Sequence, residues 1–351
     1  MTSSTARVTL RQLCHLGLPG PLVLPSLLPV LRQIVQADHA AFFYCDPRGS
    51  ITNLYAERML PPAVQARYHD RHNDAQFRAL YLERVAARRP VSRRSVSPEE
   101  RDQDYYRDVL QPLAVEHFLY AIVRSGAKVL GQLSLYRGGQ STGFSVQDED
   151  LLQEVLHYLG EALAVPSPPL AVGVLERAVE EGLAVFDDAG RIIFSDQPWD
   201  RLIRLAEGNP ITPATALHET LSLPQFVAAV LQAIEASPQA VHRTDTTWGS
   251  FAFRRHDLLG AEGTSARGLI VSRLSSEPLR LTEGAADLGL SPKQREVALL
   301  LAKGKSNPEI ARELNITLNT ASYHVKQVFA RLGVHDRAAV GRALTEAGGR
   351  S

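Results

Sequence analysis

At 351 residues the chain exceeds one ordinary domain and leaves room for two or three, each able to bury its own core. Basic and acidic residues number 38 each, 44% of residues are hydrophobic, and the only cysteines are Cys14 and Cys45. This composition excludes a disordered polyelectrolyte and a disulfide framework, and it points to a reducing, cytoplasmic setting. The neutral total hides an asymmetry: residues 290–351 hold ten basic and five acidic residues, leaving 28 and 33 for everything before them. Such a split is expected of a nucleic-acid-binding segment joined to mildly acidic modules.

In chain order, the apolar stretch from Leu10 to Val35 is broken by Arg11, His15, four prolines and Arg32, so no membrane span is expected. Pro21 to Val35 reads as a helix, Ala40 to Cys45 as a strand, Asp46-Pro47-Arg48-Gly49 as a turn and Ile51 to Tyr55 as a second strand. Residues from Pro62 to Ala87 have helical composition, and the arginine-rich stretch Arg88 to Ser97 reads as an exposed loop. Two strands, His117 to Arg124 and Val129 to Arg137, flank a Ser125-Gly126-Ala127 turn. In the second, Leu133 and Leu135 alternate with Gln132 and Ser134 as in a half-buried strand. After the glycine-rich loop Gly138 to Gly143, Ser145 and Asp148 form a capping signal for a helix striped by Leu152, Val155, Leu156, Leu159 and Leu163. The run Val165-Pro166-Ser167-Pro168-Pro169 marks a linker.

The second half of this region, AIVRSGAKVLGQLSLYRGGQSTGFSVQDEDLLQEVLHYL, resembles a GAF domain, above all in Gly131–Tyr136 and Phe144–Leu152. The resemblance implies a small-molecule-sensing or dimerising α/β module over residues 1–165 and names no ligand. Beyond the linker, Val172 to Glu181 reads as a short helix. A hairpin follows, Leu183–Phe186 and Arg191–Phe194 around Asp187-Asp188-Ala189-Gly190, then a helical stretch with Trp199 and Leu202, and late strands Trp248–Arg254 and Gly268–Leu274. The sequence GLAVFDDAGRIIFSD resembles the opening of a PAS domain, which implies a second α/β sensor over residues 170–276. Ser275 to Gly289 reads as another linker.

The last segment carries the strongest signals. Ser291 with Pro292 opens a helix that Gly304 closes, Asn307 with Pro308 opens a second ending at Leu314, Thr317 caps a third ending at Leu332 before Gly333, and Asp336 caps a fourth. A short helix, a tight turn at Asn315 and Ile316 and a longer helix make a helix-turn-helix. At about 100° per residue, the third helix puts Ala321, Val325, Val328 and Leu332 on an apolar side flanked by Phe329. Asn319, Tyr323, Lys326 and Ala330 lie opposite, with Ser322 on one shoulder and Thr320 and His324 on the other.

The segment closely resembles the LuxR/FixJ-type helix-turn-helix over some fifty residues. The resemblance implies that Ser322, Tyr323 and Lys326 approach bases and that Thr320 and His324 contact the DNA backbone or position the helix. Thr317, Asn319, Lys305 and Asn307 complete the expected DNA-facing set. Where the family has Thr-Val-Lys this chain has Thr320-Ala321-Ser322, which leaves Lys326 as the strongest base-reading candidate.

The fold expected is therefore multidomain α+β, a GAF-like and then a PAS-like α/β sensor followed by an all-α four-helix LuxR-type domain over residues 285–351. The function expected is that of a sequence-specific, cytoplasmic transcription regulator, with double-stranded DNA, a second copy of the chain and RNA polymerase as partners. An unidentified small molecule in either sensor is compatible with this reading, no cofactor or metal is predicted, and no room remains for a catalytic domain. The alternative is a signalling module whose basic tail binds a protein.

Other constellations carry less. Gly304-Lys305-Ser306 lacks the earlier glycine of a phosphate-binding loop, Leu299 standing in its place. The His69 to Asp74 stretch fits a solvated helix face better than a metal site. Cys14-His15, which in some GAF photoreceptors attaches a bilin, precedes the domain here. Arg88, Arg89, Arg93 and Arg94 fit a solvated run, and Trp199 and Trp248 fit core positions.

Overall fold

The computed structural model describes residues 3–58, 75–87, 90–165, 177–212, 219–236, 241–259 and 265–348. Helices α1 (Ser3–Cys14) and α2 (Gly20–Val35) come first. Pro25 and Pro29 lie inside α2, each removing a backbone donor, and the helix persists because Leu24, Leu27, Leu28, Leu31 and Ile34 are buried along its length. Five antiparallel strands follow: β1 (His39–Cys45), β2 (Ile51–Ala56), β3 (Val91–Ser95), β4 (His117–Ser125) and β5 (Lys128–Arg137). They are ordered β2-β1-β5-β4-β3. Helix α3 (Ala75–Ala86) lies between β2 and β3 in the chain. Helix α4 (Val146–Leu163) starts at the Ser145–Asp148 capping box and packs its Leu152, Val155, Leu156, Leu159 and Leu163 stripe on β4 and α2.

A second five-stranded antiparallel sheet repeats the same strand order. It comprises β6 (Arg177–Phe186), β7 (Ile192–Ser195), β8 (Val241–Thr246), β9 (Gly249–Leu259) and β10 (Ser265–Ser275), arranged β7-β6-β10-β9-β8. Helices α5 (Gln197–Glu207) and α6 (Glu219–Glu235) cover one face, on which Trp199, Leu202, Phe251, Phe253, Leu269 and Val271 are buried. Asp187–Gly190 turns the predicted hairpin, with Gly190 at φ +76° donating its N–H to the Asp187 carbonyl at 2.9 Å. One buried apolar cluster runs through both sheets, and Tyr55 meets Trp248 across the seam with ring centroids 5.9 Å apart.

The chain ends in five helices: α7 (Glu277–Asp287), α8 (Pro292–Ala302), α9 (Asn307–Glu313), α10 (Leu318–Leu332) and α11 (Arg337–Ala347). Leu281 and Ala285 of α7 enter the same core as Val297, Leu301, Ile310, Ala321, Val325, Val328, Val340 and Leu344.

Five expectations are corrected. The arginine-rich stretch contains β3, an edge strand that exposes Arg93 and buries Val91; charge on an edge prevents further pairing and so reads as a loop. Arg94 is not simply solvated, since it pairs with Glu100 at 2.8 Å and lies over the Phe118 ring. Residues 177–181, read as helix, are strand, because β10 pairs with β6 throughout and the sheet partner overrides local propensity. Gln132 and Ser134 are each 1% exposed, because β5 is the central strand and both its faces are covered. The stretch read as a second linker is α7, a packed helix.

The predicted helix between Pro62 and residue 74, His69 to Asp74, Arg88, Arg89, most of the first linker and residues 172–176 lie outside the described residues. Trp199 and Trp248 are core, and Cys14 is buried on α1, where desolvation pushes its thiol up to about 12.

Two arginines fasten the units together. Arg295 of α8, 1% exposed, donates to the Thr9 hydroxyl of α1 at 2.6 Å and to the carbonyls of Leu290 and Ala286. Arg273 of β10 donates to the carbonyls of Trp248 and Leu22. Beside them a cavity of about 680 Å³ is lined by α2, the β1–β2 unit, α5, β10 and α7. It holds the Arg32–Glu57 and Arg201–Glu180 pairs and Glu283.

At Gly284 a side-chain carbon would sit 1.8 Å from the Leu344 carbonyl oxygen. Gly284→Ala is therefore expected to destabilise the C-terminal helical unit by about 1–3 kcal/mol, as overpacking does. Chemical denaturation followed by circular dichroism measures this, and an unchanged midpoint would refute the close backbone contact.

Burial pushes the Glu283 carboxyl up to about 7 from 4.5, against the opposing effects of a Ser26 hydrogen bond and the Arg273 charge. The folded state then keeps a proton that the unfolded chain releases, so stability falls as pH rises from about 4.5 to about 7 and levels off above. Melting curves across that window should show the slope shrink in Glu283→Gln; an identical slope in the variant would contradict the assignment.

Candidate nucleic-acid interface

Side-chain caps fix where the C-terminal helices begin. Ser291 and Gln294 form a reciprocal capping box on α8, and Gly304 follows its end at φ +78°. On α9 the cap is Ser306, paired reciprocally with Glu309, one residue earlier than the predicted Asn307. The reason is that Glu309 stands three residues after Ser306 and completes the box, while Pro308 is tolerated in the first turn. Thr317 caps α10 by accepting from the Thr320 N–H at 3.1 Å, and the two hydroxyls are 2.8 Å apart. Gly333 ends α10 at φ +65°, and Asp336 caps α11 by accepting from the Ala339 N–H at 2.7 Å. Asn315, at φ 50°, makes the turn between α9 and α10.

The faces of α10 are those expected from its sequence. Ala321, Val325 and Val328 are buried, with Phe329 and Leu332 half-buried beside them. Asn319, Tyr323, Lys326 and Ala330 are exposed on the opposite side; Tyr323 is 60% exposed and meets the His324 ring edge-on. Lys326 has no hydrogen-bond or ion-pair partner among the described residues. The dipole of α10 favours an anion near its N-terminus.

The other predicted residues divide into two groups. Asn307, freed from capping, donates to the Ser322 hydroxyl at 3.1 Å and accepts from the Arg337 guanidinium at 2.7 Å. Arg337 also donates to the Lys305 carbonyl. Together these bonds clamp the start of α9 to α10 and α11, with Ser322 half-buried beneath. Lys305 pairs with Glu313 at 2.8 Å, a contact that raises the lysine's pKa. Sequence reasoning missed the roles of Arg337 and Arg295.

A second site lies in the first sheet. A cavity of about 210 Å³ is lined chiefly by Phe43, Phe77, Tyr105, Phe118, Tyr120 and Tyr136, with Gln132 and Ser134 supplying polar groups. Arg84 donates to the Gln132 side-chain Oε1 at 3.0 Å and lies 3.8 Å from the centre of the Tyr120 ring. Gln132 in turn donates to the Ser134 hydroxyl. Burial pushes the phenols of Tyr120 and Tyr136 up, so both stay protonated donors near neutral pH. An aromatic cavity with a few fixed polar groups has the chemistry of a small-molecule pocket. The legible signal for it was the Gln132–Ser134 alternation on a strand that turned out to be central.

Comparison with known proteins finds family matches for two parts of the chain. Residues 288–343 match the family described as bacterial regulatory proteins, luxR family, and residues 23–163 match the GAF domain. The two-component response regulator PprB of Pseudomonas aeruginosa is 45% identical over 58 residues, 16% of this chain and 21% of that protein. The HTH-type transcriptional regulator YhjB of Escherichia coli, described as putative, is 46% identical over 48 residues, 14% of this chain and 24% of that one. The chain thus spans less than a quarter of the length of these curated relatives. Among solved structures, the third GAF domain of Slr1393 from Synechocystis aligns at 17% identity and a TM-score of 0.30, covering 39% of this chain and 89% of that one. Residues 288–343 are therefore similar to luxR-family regulatory proteins, and residues 23–163 to GAF domains.

Proposed function

We propose that the chain is a DNA-binding transcription regulator in which GAF-like and PAS-like sensor units control a LuxR-type reader. The observation that carries this reading is the exposed polar face of α10, mounted on a capped helix-turn-helix and centred on the unpartnered Lys326. The same strand order in both sheets supports treating the second as a PAS-like sensor. The division proposed is residues 1–165, 170–276 and 285–351, with α7 belonging structurally to the last unit. The aromatic cavity by Gln132 and Ser134 suits a small, largely apolar ligand with one or two hydrogen-bonding groups. The regulator works in the cytoplasm as two copies on double-stranded DNA, with half-sites about one helical turn (~34 Å) apart, and acts on RNA polymerase.

In this reading Lys326, Tyr323 and Asn319 face base edges, and Thr317, Thr320, His324 and Lys305 lie along the phosphates. Ser322 and Asn307, already bonded to each other, hold the α9–α10 angle. Anisotropy titration with fragments selected from the host genome tests this. Lys326→Ala should weaken specific binding by about 1–3 kcal/mol and relax base choice. An unaltered base preference would remove Lys326 from the interface. Lys305→Ala should weaken all sequences alike and lower the salt dependence by about one unit of slope, and an unchanged slope would remove it from the phosphates. If the wild type binds no DNA, and the basic tail instead captures a protein, the reading as a DNA-binding regulator fails.

A further inference from the structure

Of the ten large apolar side chains exposed among the described residues, six belong to the second sheet or its hairpin: Leu183, Ile192, Ile193, Phe194, Leu258 and Leu259. The strand register arranges several of them on one face. Phe194 stands beside Val185, Val185 beside Gly268 and Gly268 beside His256. In the next row Leu183 stands beside Ile270, and Ile270 beside Arg254. This is the face opposite the one that carries Ala184, Leu269, Val271 and Phe253 into the core against α5 and α6. Phe194 is 71% exposed and Leu183 39%. Single exposed apolar residues are ordinary; a strip crossing adjacent strands marks an interface.

We infer that this open face of the second sheet is where two copies of the chain associate, with a two-fold axis running parallel to the strands between β6 and β10. The charges bordering the strip single out a second copy as the occupant. Asp196, whose N–H reaches the Leu183 carbonyl and whose Oδ1 accepts from the Leu183 and Trp199 N–H groups, lies in the Leu183 row on the β7 side with Oδ2 left for a partner, and Arg254 ends the same row on the β9 side. The two-fold operation exchanges those sides. It sets Leu183 of one copy over Ile270 of the other, Val185 over the Leu258 side chain that covers Gly268, and the Asp196 carboxylate beside the Arg254 guanidinium, each contact occurring twice. Edge-to-edge pairing through β7 is disfavoured, since that strand is only four residues long and its pairing with β6 is bulged. The inference rests on the two-copy reading above and gives it a surface.

Light scattering coupled to size exclusion, with sedimentation equilibrium of the full chain, tests the inference. The wild type should dimerise at micromolar concentration. Leu183→Glu combined with Phe194→Glu should raise the dimer dissociation constant by about 30-fold or more, the size of a hot-spot loss. Arg254→Asp, a change on the exposed surface, should weaken the dimer in the same direction, while Val146→Glu on the exposed side of α4 should leave it unchanged. A wild type that stays monomeric, or a dimer that survives the double substitution with its dissociation constant unaltered, overturns the inference. The double variant should also keep wild-type affinity for a duplex with one half-site and lose the gain from a second. If the wild type dimerises as stated yet binds no DNA, the interface stands and the DNA-reading proposal falls.

Discussion

The backbone contact at Gly284 governs how the C-terminal unit is built. With no side chain there, α7 lies directly against the end of α11, where a side-chain carbon at Gly348 would likewise collide with the Arg280 carbonyl oxygen, at 2.2 Å. Leu281 and Ala285 can then complete a core that four short helices would close poorly by themselves. The same helix borders α1 and the charged cavity, so it belongs to the C-terminal helical unit through its apolar side and meets the sheet-bearing units through the rest. Arg295 completes the junction by joining α8 to α1.

Much of this was legible because caps are local. Ser291, Thr317 and Asp336 each act on an N–H three residues away, so their effect can be read without knowledge of the fold. The Ser145–Asp148 box and the Asp187–Gly190 turn were legible for the same reason. The cap at Ser306 was misplaced by one residue because Asn307 is an equally good capping type; Glu309 decides between them. Freed from that duty, Asn307 binds Ser322 and Arg337, a relationship between residues fifteen and thirty positions apart that no local rule supplies.

What stayed illegible depended on partners distant in sequence. Residues 177–181 have helical composition and become strand because β10 lies beside them. Arg93 and Arg94 read as loop until β4 gives β3 a neighbour. Gln132 and Ser134 look like the wet side of a strand, yet β5 is central and they face the aromatic cavity. For α7 the signals were present in Ser276, Pro278 and the Leu281–Ala285 spacing, but its moderate apolar content resembled that of a connector. In the site itself, the polar and apolar faces of α10 followed from helical periodicity alone, whereas the clamp beneath Ser322 did not.

The packing of α7 also bears on where this chain can be cut and rejoined. A boundary drawn by sequence similarity near residue 288 would sever α7 from the core it completes and uncover the sides of α8 and α11 that pack against it. The transferable piece begins at Ser276. A hybrid that grafts this helical unit onto a foreign domain, by recombination or at the bench, inherits its fold only if α7 travels with it, and it leaves behind the Thr9 partner of Arg295 unless the new domain supplies a hydroxyl in that place.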